Sequence, residues 1–131
     1  MKNYEIYAIA GAFRHLAELS QTNQNGSEVK LPAKVAWIRR VNLDKIMKAS
    51  ALIDEAFDDI SKKYMDDAHS EEDSEGRRLI RKEFIGEYAK ARAEILEQDT
   101  EVEIKKVKIE DLGDVMLSDE YMDTLMFMIE E

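Results

Sequence analysis

The chain has no cysteine. That excludes disulfides, thiolate metal sites and cysteine nucleophiles, and fits a reducing compartment. One proline and five glycines in 131 residues leave few positions that break a helix. No apolar run approaches the roughly 20 residues of a membrane-spanning helix. The opening Met1-Lys2-Asn3-Tyr4-Glu5 lacks the continuous apolar segment of a signal peptide, so a soluble cytoplasmic protein is expected. Basic residues are also in short supply, 19 Lys and Arg against 29 Asp and Glu, for a net charge of −10. The deficit is uneven: residues 1–50 carry eight basic against four acidic side chains (+4), residues 51–131 eleven against twenty-five (−14). Such a chain is repelled by nucleic-acid phosphates and drawn to basic protein surfaces. The plainer reading of the same charge is solubility.

What is present is helical. After Pro32, placed where a helix tolerates proline in its first turn, apolar residues recur in steps of mostly three and four from Val35 to Tyr64. This spacing predicts a helix over 32–65 with Leu52 and Ile53 buried. Trp37, the sole tryptophan, lies beside the stripe. It either roofs the core against the first helix or anchors a partner, a role in which tryptophan is enriched. Upstream, Asn3 is read as the cap of a first helix with Ile6, Ile9, Phe13, Leu16 and Leu19 buried. Gly11 among alanines would allow another helix to approach closely. Ser20 to Lys30, with Asn25-Gly26, reads as a loop or turn.

Six acids gather in ten residues: Asp66, Asp67, Glu71, Glu72, Asp73 and Glu75. A calcium loop is excluded because its twelfth position is Lys82, not glutamate. Glu71 to Glu75 also imitates the first half of the magnesium motif of all-helical nucleotide pyrophosphohydrolases, but the second half is absent. No metal, cofactor or catalytic residue is therefore assigned. Ser74 is read as the cap of a helix over 75–98, antiparallel to the long one. The acidic run is expected to answer Arg77, Arg78, Arg81 and Lys82 at its start. Alternation in 101–109 predicts a short β segment, and Ser118 caps a last helix whose Met122 and Met126 share a face. The fold class is mainly α, one domain over 1–131: an N-terminal helix on a long helical hairpin, a short β segment and a C-terminal helix.

Four segments in this order carry a resemblance: Leu31-Pro32-Ala33-Lys34-Val35-Ala36, the run Phe57 to Tyr64, Glu101-Val102-Glu103-Ile104, and the end from Ser118 through Leu125-Met126-Phe127-Met128-Ile129-Glu130. Together they resemble a family of short phage and prophage proteins of Firmicutes whose function is unknown. The resemblance starts at residue 31. It implies a phage-encoded protein, with its gene near virion or lysis genes, in the host bacterium's cytoplasm or on the virion, and it implies no catalytic residues. The function expected first is a non-enzymatic accessory protein that binds a protein with a basic surface, in virion assembly or as a structural component. The acidic run, Trp37 and the Met122–Met126 face are the candidate contacts, and a homo-oligomer is compatible with them. The alternative is an acidic, nucleic-acid-mimicking inhibitor of a host defence or nucleic-acid-binding protein. A metal-dependent nucleotide pyrophosphohydrolase is third. Neither nucleic acid nor membrane is an expected partner.

Overall fold

Eight positions of the long helix share one side. In the computed structural model, which describes residues 1–21 and 30–130, Val35, Asn42, Ile46, Ala49, Ser50, Ile53, Phe57 and Tyr64 are buried on α2 (Ala33–Tyr64). At 100° per residue they occupy about a third of the circumference. α1 (Asn3–Gln21) covers that stripe with Ile6, Ala10, Phe13 and Leu16. Tyr7 stacks on Phe57, ring centroids 5.7 Å apart, and bonds the Asp54 carboxylate. The C-terminal elements complete the core with Val107, Leu112, Tyr121, Leu125, Met128 and Ile129. The fold is mainly α.

Several expectations need correction. Leu52 is 63% exposed while Ile53 is 4% exposed. Ile53 lies near the middle of the stripe, so Leu52, about 100° from it, falls beyond the edge that Ala49 marks. Trp37 does not roof the core. It is 68% exposed, roughly opposite the buried stripe. Asn3 is buried, and its side chain does not cap α1. Instead its amide donates to the Ile95 carbonyl at 2.8 Å and accepts from the Thr100 hydroxyl at 2.6 Å. It ties the start of the chain to the end of α3 (Ile85–Glu97). Nothing outside its own helix approaches the Cβ position of Gly11 within 4 Å. The Asn25-Gly26 turn lies outside the described residues.

The helix expected over 75–98 begins only at Ile85. Its first ten residues belong mostly to an antiparallel hairpin, β1 (Ser70–Glu72) with β2 (Arg78–Ile80), in the register Glu71↔Leu79. Ser74 therefore caps nothing. The Asp73 carboxylate accepts the backbone N–H groups of Glu75 and Arg77, both at 2.9 Å, and Gly76 supplies φ +78°. A side chain that turns the backbone back on itself competes directly with helix initiation. α3 then runs antiparallel to α2: Tyr64 reaches Glu87, Ser61 reaches Tyr88, and the Arg92 guanidinium lies 4.2 Å from the Phe57 ring centroid. No residue of α3 is fully buried, so α1 and the C-terminal elements supply the core.

The β segment is also smaller than expected. Residues 101–106 form no ladder, and only β3 (Val107–Lys108) pairs, in parallel, with β4 (Ile129–Glu130). The reason lies in α2. Fully buried Asn42 donates to the Lys105 carbonyl at 2.8 Å and accepts from the Lys105 N–H at 2.9 Å. One side chain thus takes the groups that a neighbouring strand would have used. Beyond them, Gly113 (φ +60°) ends a short 3-10 turn. Ser118 caps α4 (Asp119–Leu125) as expected, accepting the Tyr121 N–H at 3.1 Å. The last helix is only that long, with Tyr121 and Leu125 buried, and a 3-10 turn after it buries Met128 and exposes Met126.

Two substitutions separate these contributions. Asn42→Ala removes both bonds to Lys105, whose backbone is only partly buried and can turn to water, so a loss of about 1–3 kcal/mol in urea unfolding is expected. Ile53→Ala should cost about 2–5 kcal/mol, whereas Leu52→Ala should stay within about 0.5 kcal/mol. Equal effects of the two alanine changes at 52 and 53 would contradict the assigned face of α2.

Candidate functional site

α2 is the element that presents residues to solvent without a neighbour above them. Because its buried stripe is narrow, Trp37 and Leu52 project from the far side, 68% and 63% exposed. Both lie within about 60° of one another around the axis. Around them stand Arg40, bridged to Asp44 at 3.7 Å, and exposed Lys45, Lys48 and Glu55. Leu52 was not among the sequence-derived contact residues, and its angular distance from Ile53 is the signal that identifies it.

The acidic run is drawn into the hairpin and its approach. Asp73 holds Arg77 through its side chain at 3.0 Å, and Glu75 meets the same guanidinium at 3.1 Å. Asp67 pairs with Arg78. Arg81 donates to the Ser70 carbonyl at 3.2 Å and the Asp67 carbonyl at 3.4 Å. The acids thus answer Arg77 and Arg78, as expected from the sequence, whereas Arg81 is held by backbone carbonyls and Lys82 forms no ion pair among the described residues. Glu71 and Glu72 are exposed on β1 and form no ion pair among the described residues. Asp66 accepts from the His69 backbone at 2.9 Å and contacts its ring nitrogen Nδ1 at 2.6 Å.

An aspartate orienting a histidine has the outline of a general base, but the rest of that machinery is not assembled. Ser70 donates its hydroxyl to the Asp66 carbonyl, not to the imidazole. The ring is edge-on to Tyr64 and Phe84, with centroids at 5.4 and 4.6 Å. His69 thereby fastens the base of the hairpin to α2. No three His, Asp or Glu side chains among the described residues converge to hold a metal. The remaining histidine, His15, is half-buried beside Glu120 at 3.0 Å.

The other candidate contacts are scattered. Met122 is half-buried against the core and Met126 is 45% exposed, so they do not form one apolar face. A concavity of about 590 Å³ opens between α2 and the clamped 101–106 segment, lined by Ile38, Lys45, Glu103, Ile104, Lys105 and Lys106. No histidine or hydroxyl nucleophile lines it. No helix among the described residues is long and apolar enough to cross a membrane. The chain matches no protein-family model, no curated protein and no solved structure.

Three carboxyls are held below the usual carboxylate range. Asp73 is lowered first by the Arg77 backbone N–H, Asp66 by its bond to the His69 side chain, and Asp111 by the Lys108 N–H and then Lys34. A lowered folded value adds stability that is complete above the unfolded carboxylate range, roughly pH 4, and is lost as pH falls through the folded value. The Glu75 and Arg77 amide resonances should therefore hold constant down to about pH 4 and move only in stronger acid. Asp73→Asn should remove that acid-induced movement. Movement centred near neutral pH would contradict the assignment.

Proposed function

We propose that this chain is a non-enzymatic, phage-encoded accessory protein that works by binding protein, in virion assembly or as a virion component. The observation that carries this reading is the exposure of Trp37 and Leu52 together on one face of a 32-residue helix. Large apolar side chains held outward on a rigid element are what a hot spot requires. The phage setting draws on the sequence resemblance alone. The acidic half supplies attraction toward a basic surface, with Glu71 and Glu72 its least compensated carboxylates, and such charge speeds encounter more than it adds affinity. The second reading, an acidic inhibitor of a host defence or nucleic-acid-binding protein, draws on the −14 charge after residue 50. It ranks lower because Asp67, Asp73 and Glu75 are spent on arginines of the same hairpin.

The test is recovery of the tagged chain from phage-infected cells. It should co-sediment with virions or their assembly intermediates, and Trp37→Ala should cut that retention about tenfold or more. Retention unaffected by Trp37→Ala would remove the α2 face from the account. Magnesium-dependent release of pyrophosphate from a nucleoside triphosphate, lost in Glu72→Gln, would replace it with an enzyme.

A further inference from the structure

Ile104 and Val107 both turn toward the core, the first half-buried and the second fully. They are three residues apart, so an extended chain that alternates sides leaves two successive side chains outside, Lys105 and Lys106. The Lys105 backbone is held in place by its two bonds to buried Asn42. Ile38 and Lys45 stand within about 60° of Asn42 around the α2 axis, on the side where this segment passes. Lys45 reaches the Glu103 carbonyl at 3.4 Å. The concavity of about 590 Å³ between them is therefore walled by the side chains of Lys45, Lys105 and Lys106, by Glu103, and by Ile38 and Ile104. The lysine ion pairs among the described residues are those of Lys2 and Lys34, so the lysines of this wall stand without a carboxylate in contact.

We infer that this concavity binds a small phosphate monoester with an apolar or aromatic body. Three lysines against one glutamate leave a local charge of +2 in a chain whose net charge is −10. A phosphate monoester carries close to the matching charge near neutral pH, about −1.5 to −2. Lysine meets phosphate as a point charge, so three flexible ammonium groups need no fixed fork geometry to hold it. The volume lies within the ordinary range of ligand pockets, about 300–1,000 Å³, and is more than a bare phosphate fills. Ile38 and Ile104 border the remaining space, and apolar walls favour a body that leaves water there. The ligand is small because the positive charge is local. A polyanion would extend past the Debye length of about 8 Å into the field of the acidic chain, whereas a monoester stays within reach of the lysines. The clamp from Asn42 sets one wall before any ligand arrives, which lowers the cost of ordering it. This site is separate from Trp37 and does not depend on the reading of α2's outward face.

The test is a titration of the full chain with phenyl phosphate, followed through its backbone amide resonances. Those of Ile38, Lys45, Ile104 and Lys106 should move together and saturate, with a Kd of about 1–10 mM for so small a probe. Inorganic phosphate should bind about threefold more weakly or worse, and benzyl alcohol should move none of them. Binding should weaken as pH falls through about 6, where the ester loses its second charge while Lys45, Lys105, Lys106 and Glu103 keep theirs. Changing Lys45, Lys105 and Lys106 together to glutamine should weaken binding about tenfold or more. All three are exposed, so urea unfolding of that variant should match the unaltered chain. Lys63→Gln, on the same helix but outside the concavity, should leave binding unchanged. A 5′-phosphorylated oligonucleotide should bind more weakly than phenyl phosphate. Shifts spread over lysines throughout the chain without saturation, or binding undiminished in the triple variant, would overturn the site. Inorganic phosphate binding as well as the ester would overturn the apolar body, and tighter binding of the oligonucleotide would overturn the small ligand.

Discussion

Asn42 sits on the buried side of α2 with no solvent exposure and gives both halves of its amide to the backbone of Lys105. A buried amide left without partners costs more than most single contacts return, so this exchange fixes where the chain must run after α3. With Lys105 held, Val107 is delivered to the core and to its pairing with Ile129. That pairing in turn sets the end of the chain against α1, where Phe13 meets Phe127 edge-on at 5.0 Å. The opposite end is stitched in the same chemical language: Asn3 bonds Ile95 and Thr100, and Thr100 and Met1 exchange backbone bonds. Two asparagines thus place segments that periodicity leaves undetermined.

The consequence for function follows from how little of α2 these contacts use. About a third of its circumference is buried, and α3 adds only a light cover near the C-terminal end. The remaining surface carries Trp37 and Leu52 outward. The acidic hairpin has a different character. Its aspartates are occupied by the turn, by His69 and by arginines one strand away, so most of its charge closes the hairpin.

The mainly α class, the long helix from Pro32, the Ser118 cap and the answering of Arg77 and Arg78 by nearby acids were all legible from residue type and spacing. What was not legible had physical causes of two kinds. Leu52 and Trp37 fell within or beside a generously drawn stripe. Only the angle between neighbours, with the true width of the buried face, shows that both point outward. The hairpin at 70–80 and the missing strand at 101–106 depend on side chains bonding backbone, Asp73 locally and Asn42 across 63 residues. The first could have been suspected from an aspartate three residues before Gly76. The second has no signal in local sequence, because a polar residue on a helix reads as solvent-facing until its partner is known.

The account turns on whether Trp37 leaves water when the protein meets its partner, and the chain's single tryptophan makes that directly observable. Acrylamide quenching of Trp37 should be near that of free tryptophan in dilute solution. With azatryptophan at this position, whose emission stands apart from that of other tryptophans, it should then fall as virion assembly intermediates are added in excess, and Leu52→Glu should abolish the change. Quenching that stays at the free level with the intermediates in excess, in the unaltered chain as in Leu52→Glu, would contradict it.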